Sequence, residues 1–330
     1  MVQAKAPLAE LGVHVEACTN EAAAAAMLAA SMVYPVRGAV TWKSVVGTNV
    51  ASDALSNLAS PGVLGGALIV VGEDYGEGAS VIQERTHAFA MKSALWLMDP
   101  RPNLPTIVAM VEHSFELSEA SGTPVMLMLR IRACHVQGSF TAKDNRAPAI
   151  SSRARQTQPA PFSYDRLSHP PSTFRHEQLK YEVRMPAAQR YIADAGLNEL
   201  FDGDADGTLA DLGLIVPGGL YNSTVRALQF CAPKRAVLIV EEGQPEFIEQ
   251  DIATTLRRAD IQTPLHGKDF LPMGGECNAE VVHAALLGFL SKYAPGFDLQ
   301  AGTALIAQIA GLKRDAAALL QAPVPARPPN

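Results

Sequence analysis

Glu21 is the first position in this sequence where chemistry and pattern disagree. It follows Asn20 and opens a run of alanines, methionines, Leu28, Ser31 and Val33 that reads as a helix over residues 21–33 with both faces buried. As structure, Glu21 is a first-turn acid that complements the helix dipole behind an Asn cap. As chemistry, it is a carboxylate kept in an apolar wall with a raised pKa, set to exchange a proton with a ligand nitrogen. Both readings stand on composition alone.

Other candidates cluster after short apolar runs. Thr41, Lys43 and Ser44 follow one such run, with Gly47, Thr48 and Asn49 behind them. Lys43 either meets a substrate carboxylate or is simply solvated, and Thr48 or Asn49 can cap a helix. Arg130 and Arg132 lie two apart and so share one face of a strand. There they clamp a carboxylate or phosphate, or pair with the acidic loop of residues 72–78. That loop carries Glu73, Asp74 and Glu77 and reads as a cover that folds over a ligand. It has no GxxxxGK[ST] or GxGxxG pattern, and its acids lack an octahedral metal pattern. His87 and His135 stand alone, and neither GxSxG nor HExxH occurs. Glu241-Glu242 directly follows a buried run and either caps the next helix or reaches an interface.

These residues need a frame. Apolar runs at 38–42, 66–71, 94–98 and 124–132 alternate with helical stretches at 49–60, up to about Lys92, and 106–120. Such alternation predicts a parallel sheet wound on both faces, with its ligands beyond the carboxyl ends of the strands. Residues 141–206 are rich in proline and polar residues and read as a connector or wrapping arm, with one helix over 187–201. A second α/β unit is expected over 207–322. Its strands fall at 212–217, 235–241 and 262–266, a turn at Gly218-Gly219, and its helices at 221–229, 245–260, 278–293 and 303–321. A Pro-rich tail, 323–330, follows. The fold class is therefore α/β, with two open, mostly parallel, doubly wound sheets.

Composition excludes several classes. The 330 residues carry a net charge of −6, are 48% hydrophobic and only 18% charged, so a large core is available. The acidic balance argues against nucleic acid as a partner and against a polybasic membrane patch. Cys18, Cys134, Cys231 and Cys277 include no CxxC pair, which leaves no local zinc or cluster motif. Scattered thiols, no signal-peptide pattern and no run of about 20 apolar residues point to the cytoplasm.

Several segments, in order, carry a resemblance. They are Asn20 to Ser31, Arg37 to Leu55, Gly65 to Gly76, Phe115-Glu-Leu-Ser-Glu, Arg130-Ile-Arg-Ala-Cys-His and Val240 to Gln250. Over about residues 11–145 and 211–290 the chain resembles the alpha subunit of indolepyruvate ferredoxin oxidoreductases, within the thiamine-diphosphate 2-oxoacid:ferredoxin oxidoreductases. The resemblance implies a pyrimidine-binding domain at 1–140 and a transketolase C-terminal-like domain at 207–322. It implies that Glu21 bonds N1′ of the aminopyrimidine and favours the imino tautomer, whose 4′-nitrogen takes the thiazolium C2 proton. Thr41, Lys43, Ser44 and Asn49 become cofactor neighbours, and Arg130 and Arg132 weak substrate candidates. It further implies a 2-oxo acid substrate, decarboxylation, electrons passing through [4Fe-4S] clusters to ferredoxin, and acyl transfer to coenzyme A.

The sequence departs from the family in what it omits. There is no Gly-Asp-Gly followed by an Asn for Mg²⁺, and no cluster-binding cysteine domain. The diphosphate-binding and iron–sulfur parts are therefore expected from other domains or subunits, in cis or in trans, in a dimeric or higher assembly. The competing reading is a noncatalytic α/β subunit that scaffolds or regulates an oxidoreductase.

Overall fold

The computed structural model describes residues 2–75, 82–83, 85–144, 163–201, 209–217 and 224–321. The chain divides into two units, residues 1–201 with 217–227 and residues 202–216 with 228–330. The loop residues 76–81 with Glu77, the Gly218-Gly219 turn, residues 221–223 and the tail from 322 lie outside the described residues. No described helix is long and apolar enough to cross a membrane.

The first unit starts with α1 (Lys5–Glu10) and α2 (Glu21–Leu28). It then alternates through β1 (Gly38–Lys43), α3 (Asn49–Ala59), β2 (Ala67–Glu73), α4 (Thr86–Ser93) and β3 (Trp96–Met98). It continues with α5 (Leu104–Ser121), β4 (Val125–Arg130), the one-turn α6 (Ile131–Cys134), α7 (Ser172–Leu179) and α8 (Met185–Asp194). The strands form one parallel sheet in the order β1-β2-β4-β3. The step from β2 to β3 skips a place that β4 fills on its return, so right-handed crossovers put α3 and α4 on one face and α5 on the other. Accordingly α3 packs against α2 and α4, while α5 packs against α8. Leu68, Trp96 and Leu127 meet Leu117, Ala188 and Ile192 on that second face. The continuous apolar runs are buried as parallel strands require.

Two helices differ from the sequence expectation. The run after Asn20 is α-helical only to Leu28 and then tightens to a 3-10 turn through Met32. It buries Ala25 and Leu28 but leaves Met27 half exposed, so one face of α2 is open rather than covered. The described part of the arm is more helical than its prolines imply. Helix runs from Ser172 to Asp194, with a π turn over Lys180–Arg184 just before Pro186, which has no N–H to donate. The buried Arg184 guanidinium donates to the carbonyls of Ala59 (3.0 Å) and Ser60 (2.7 Å), at the end of α3, and of His176 (3.1 Å). His176 Nδ1 lies 3.0 Å from the Ser60 hydroxyl. These bonds fasten the arm to the unit.

The second unit contains β5 (Leu212–Ile215), β6 (Ala236–Ile239) and β7 (Leu265–His266) in one parallel sheet of that order. Its helices are the part of α9 (Thr224–Cys231) from Leu228 on, α10 (Phe247–Arg258), α11 (Ala279–Tyr293) and α12 (Gln300–Leu320). Alternate residues of β6 serve opposite faces. Val237 and Ile239 meet Leu228, Ile252 and Leu256, while Ala236 and Leu238 meet Ala285 and Phe289. Glu241 caps α10, accepting from the N–H groups of Ile248 (3.0 Å) and Glu249 (2.9 Å).

Arg184→Ala removes three charge-assisted bonds and leaves the end of α3 without its cap. A loss of about 2–3 kcal/mol in urea-denaturation stability is expected.

Candidate functional site

The carboxyl edge of the four-stranded sheet carries a row of charges of alternating sign. In strand order they are Lys43 on β1, Glu73 and Asp74 at the end of β2, Arg130 on β4 and Asp99 just beyond β3. Register aligns Lys43 with Gly72 and Glu73 with Arg130, so the row follows directly from parallel pairing. Asp74 has no exposed side-chain surface and forms an ion pair with Lys43. Asp99 is almost as enclosed and pairs with Arg130, whose Nε also lies 3.2 Å from Asp99 Oδ1. Buried carboxylates need such partners, because desolvating an uncompensated charge costs several kcal/mol.

Behind this row the entry to α4 adds a second layer. Glu73 Oε1 accepts from the Thr86 N–H at 2.9 Å, which caps a helix whose own preceding residue, Arg85, offers no side-chain cap. The Thr86 hydroxyl lies 2.8 Å from that of Ser44, tying the end of β1 to the start of α4. Arg85 is 5% exposed and His87 3%. Burial raises the Glu73 pKa, against the pull of the nearby Thr86 groups, the Tyr75 hydroxyl and the Arg85 charge. Burial, with Arg85 and Arg130 adding to it, holds His87 well below the usual histidine range. Asp99 is raised by burial although Arg130 opposes the shift. Glu73 Oε2 and His87 Nδ1 have no hydrogen-bond partner among the described residues. The edge is thus a dry polar floor holding a neutral imidazole, an acid disposed to keep its proton, and a central cation, Arg85.

Glu21 stands at the same end of the sheet. Leu28, at the far end of α2, lies against Gly38 at the beginning of β1, so α2 runs antiparallel to the strand and its N-terminus rises toward the carboxyl edge. Asn20 caps it, its Oδ1 accepting from the Ala23 N–H at 2.8 Å. Glu21 is half-buried, and α2 packs against the turn that follows β1.

The remaining candidates separate. Ser44 joins the buried floor, and Lys43 is held by Asp74 rather than merely solvated. Thr41 is exposed on the edge strand, and Asn49 is exposed at the first position of α3. Residues Ser44–Thr48 form a π turn, and neither Thr48 nor Asn49 caps α3 through its side chain. Instead the fully buried Thr48 hydroxyl accepts from the Trp42 indole N–H at 3.1 Å. A Cβ on Gly47 would fall 2.5 Å from that indole, so the turn needs glycine there. Arg130 and Arg132 do not form a pair on one strand face. The strand ends at Arg130 and α6 begins at Ile131, which turns Arg132 away from the alternation. Arg130 pairs with Asp99, Glu73 and Asp74 are buried rather than part of an open cover, and the rest of the acidic loop lies outside the described residues. Among the described residues no group of three or more His, Cys, Asp and Glu side chains is arranged to hold a metal ion. Sequence reasoning passed over Arg85 and read His87 only as a lone histidine, whereas both are buried in this floor. The only local signal was a cation and a histidine bracketing the start of a helix after a glycine-rich loop.

Two parallel units, the first wound on both faces with its polar floor beyond the strand ends, define a two-unit α/β protein of the doubly wound class. In sequence the chain is similar to indolepyruvate oxidoreductase subunit IorA of Methanothermobacter thermautotrophicus, 27% identical over 305 residues, which are 84% of this chain and 47% of that protein. It is 26% identical over 303 residues to IorA of Methanothermobacter marburgensis, covering 84% of this chain and 47% of the relative. For IorA of Pyrococcus horikoshii the figures are 25% over 313 residues, 86% and 46%. The chain spans about half the length of the curated relatives it matches. No protein-family model matches the chain. The resemblance to an alpha subunit of this kind therefore extends over most of the chain, beyond the segments that first carry it.

Because the folded state raises the Glu73 pKa, it binds more protons than the unfolded chain above the ordinary carboxylate range near about 4.3. The stability this group contributes is full below that range and is lost as pH rises through the raised folded-state value. Glu73→Gln, which keeps the acceptor for Thr86, should match the wild type in denaturant unfolding at pH 4. At pH 8 the variant should be the more stable of the two, because it encloses no carboxylate charge.

Proposed function

We propose that residues 1–140 are the pyrimidine-binding domain, and residues 207–322 the transketolase C-terminal-like domain, of a thiamine-diphosphate-dependent 2-oxoacid:ferredoxin oxidoreductase. Its substrate is an arylpyruvate such as indolepyruvate. The observation that carries this reading is the position of Glu21, a half-buried carboxylate in the capped first turn of α2 at the carboxyl edge of the sheet. The surroundings fit the aminopyrimidine end of the cofactor. The turns after Glu21 are alanine, and the Met27 flank is open to an incoming ring. The similarity to IorA proteins, over 84% of the chain, supports the same reading.

Bound thiamine diphosphate supplies the electron sink that makes loss of CO₂ from a 2-oxo acid accessible. This chain's residues do the rest of the local work. Glu21 holds a ring nitrogen and moves a proton at that atom. Ser44, Thr41 and Asn49 border that wall, and Lys43, fixed by Asp74, sets its charge. The substrate-carboxylate candidates at this edge are Arg130, paired with Asp99, and Arg85, whose charge in the dry floor bears on Glu73, Tyr75, His87 and Asp99, with Arg132 just beyond the strand end. The Mg²⁺-diphosphate site, the [4Fe-4S] clusters, coenzyme A and ferredoxin belong to other domains or subunits of a cytoplasmic assembly. A noncatalytic scaffold is the second reading, favoured by the internal pairing of both Lys43 and Arg130.

In the assembled complex, Glu21→Gln should lower arylpyruvate-dependent dye reduction by about 10²–10⁴-fold with unchanged thermal unfolding. Arg85→Ala should raise KM for the 2-oxo acid more than it lowers kcat. Near-normal turnover with Glu21→Gln rejects the assignment and leaves the scaffold reading.

A further inference from the structure

Three histidines are buried among the described residues, and one of them is unlike the other two. His176 places Nδ1 3.0 Å from the Ser60 hydroxyl and Nε2 against the Asp165 carbonyl. His266 lies between the Asp269 carboxylate and the Tyr293 hydroxyl, the latter 2.6 Å from Nε2. Both use each ring nitrogen inside the protein, as buried polar groups generally do. His87 is 3% exposed, yet its Nδ1 has no hydrogen-bond partner among the described residues. A ring nitrogen enclosed in this way is costly to keep unless a ligand atom bonds it.

The ring is fixed by its neighbours. His87 is the second residue of α4, directly after Thr86, whose N–H is bound by Glu73 and whose hydroxyl meets that of Ser44 at 2.8 Å. At the other end of α4 the Ser93 hydroxyl lies 3.2 Å from that of Ser56, and Lys92 donates to Ser52 at 2.6 Å, both on α3. A group held this firmly gives up little freedom when it binds. The charges nearby select what it meets. Arg85 and Arg130 both bear on the ring and, with burial, keep it neutral. Beside two cations the favoured ligand atom is an electron-rich oxygen, for which the imidazole acts as donor. The same two arginines are the substrate-carboxylate candidates of this edge, and a 2-oxo acid carries its other oxygen on the adjoining carbon.

We propose that His87 Nδ1 donates to the oxygen on carbon 2 of the substrate, and so makes the site prefer 2-oxo acids to acids without that oxygen. This rests on the 2-oxo acid reading above and adds a specificity-determining residue to it. Calorimetry on the intact complex can use two acids that the reaction does not consume. Indolelactate has an oxygen on carbon 2, and indolepropionate has none. The wild-type complex should bind indolelactate about tenfold more tightly. His87→Leu should abolish that preference by weakening indolelactate alone, and should raise KM for indolepyruvate by about tenfold. His87→Asn, whose amide nitrogen falls near the Nδ1 position, should recover most of both, with thermal unfolding of each variant as in the wild type. Equal binding of the two acids by the wild type overturns the proposal, as does a preference that His87→Leu leaves intact. Equal weakening of both acids also overturns it and makes His87 a packing residue. A complex that neither turns over a 2-oxo acid nor binds these acids removes the functional reading itself. One that turns over 2-oxo acids but fails these comparisons removes only the role of His87.

Discussion

The enclosed carboxylates at the edge of the first sheet set the terms for everything around them. Asp74 and Asp99 lie where water cannot solvate them, so each must keep a cation. That requirement fixes the side chains of Lys43 and Arg130, and with them the ends of β1 and β4. It also removes the two most obvious cations of the sequence from the pool of ligand-binding groups. Arg85 stands beside them at the entry to α4.

The same device appears in both units. Glu73 and Glu241 each follow or end a buried parallel strand, and each spends its carboxylate on backbone N–H groups at the start of the next helix. A strand-end acid thereby joins sheet to helix without a loop-borne cap. Glu241 does this with both oxygens. Glu73 does it with a single oxygen, inside a layer that also contains an arginine and a neutral histidine. The two sites therefore share a structural solution.

Much of the frame was legible because it rests on local pattern. Runs such as Ala67–Val71 and Val125–Leu129 have no choice but a covered strand, and Asn20 before an alanine run has little choice but a cap. The site was less legible because its decisive contacts are distant in sequence. Lys43 finds Asp74 and Arg130 finds Asp99, each 31 residues away, and no periodicity encodes such a pairing. Arg132 was misplaced for a local reason, since the strand gives way to helix one residue after Arg130. The arm was misjudged because clustered prolines and polar side chains normally denote an irregular connector. Here Lys180 finds the neighbouring Glu177 and Arg184 finds backbone carbonyls, which lets helix form and bury them.

The π turn between β1 and α3 holds one residue more than an ordinary helical turn would. That surplus sets the azimuth at which Ala51, Leu55 and Leu58 enter the interior. Dropping one residue would rotate the whole helix by about 100°. This short stretch is thus held in letter count as well as at Ser44, Gly47 and Thr48, which makes it a fixed ruler for aligning divergent chains of the same architecture.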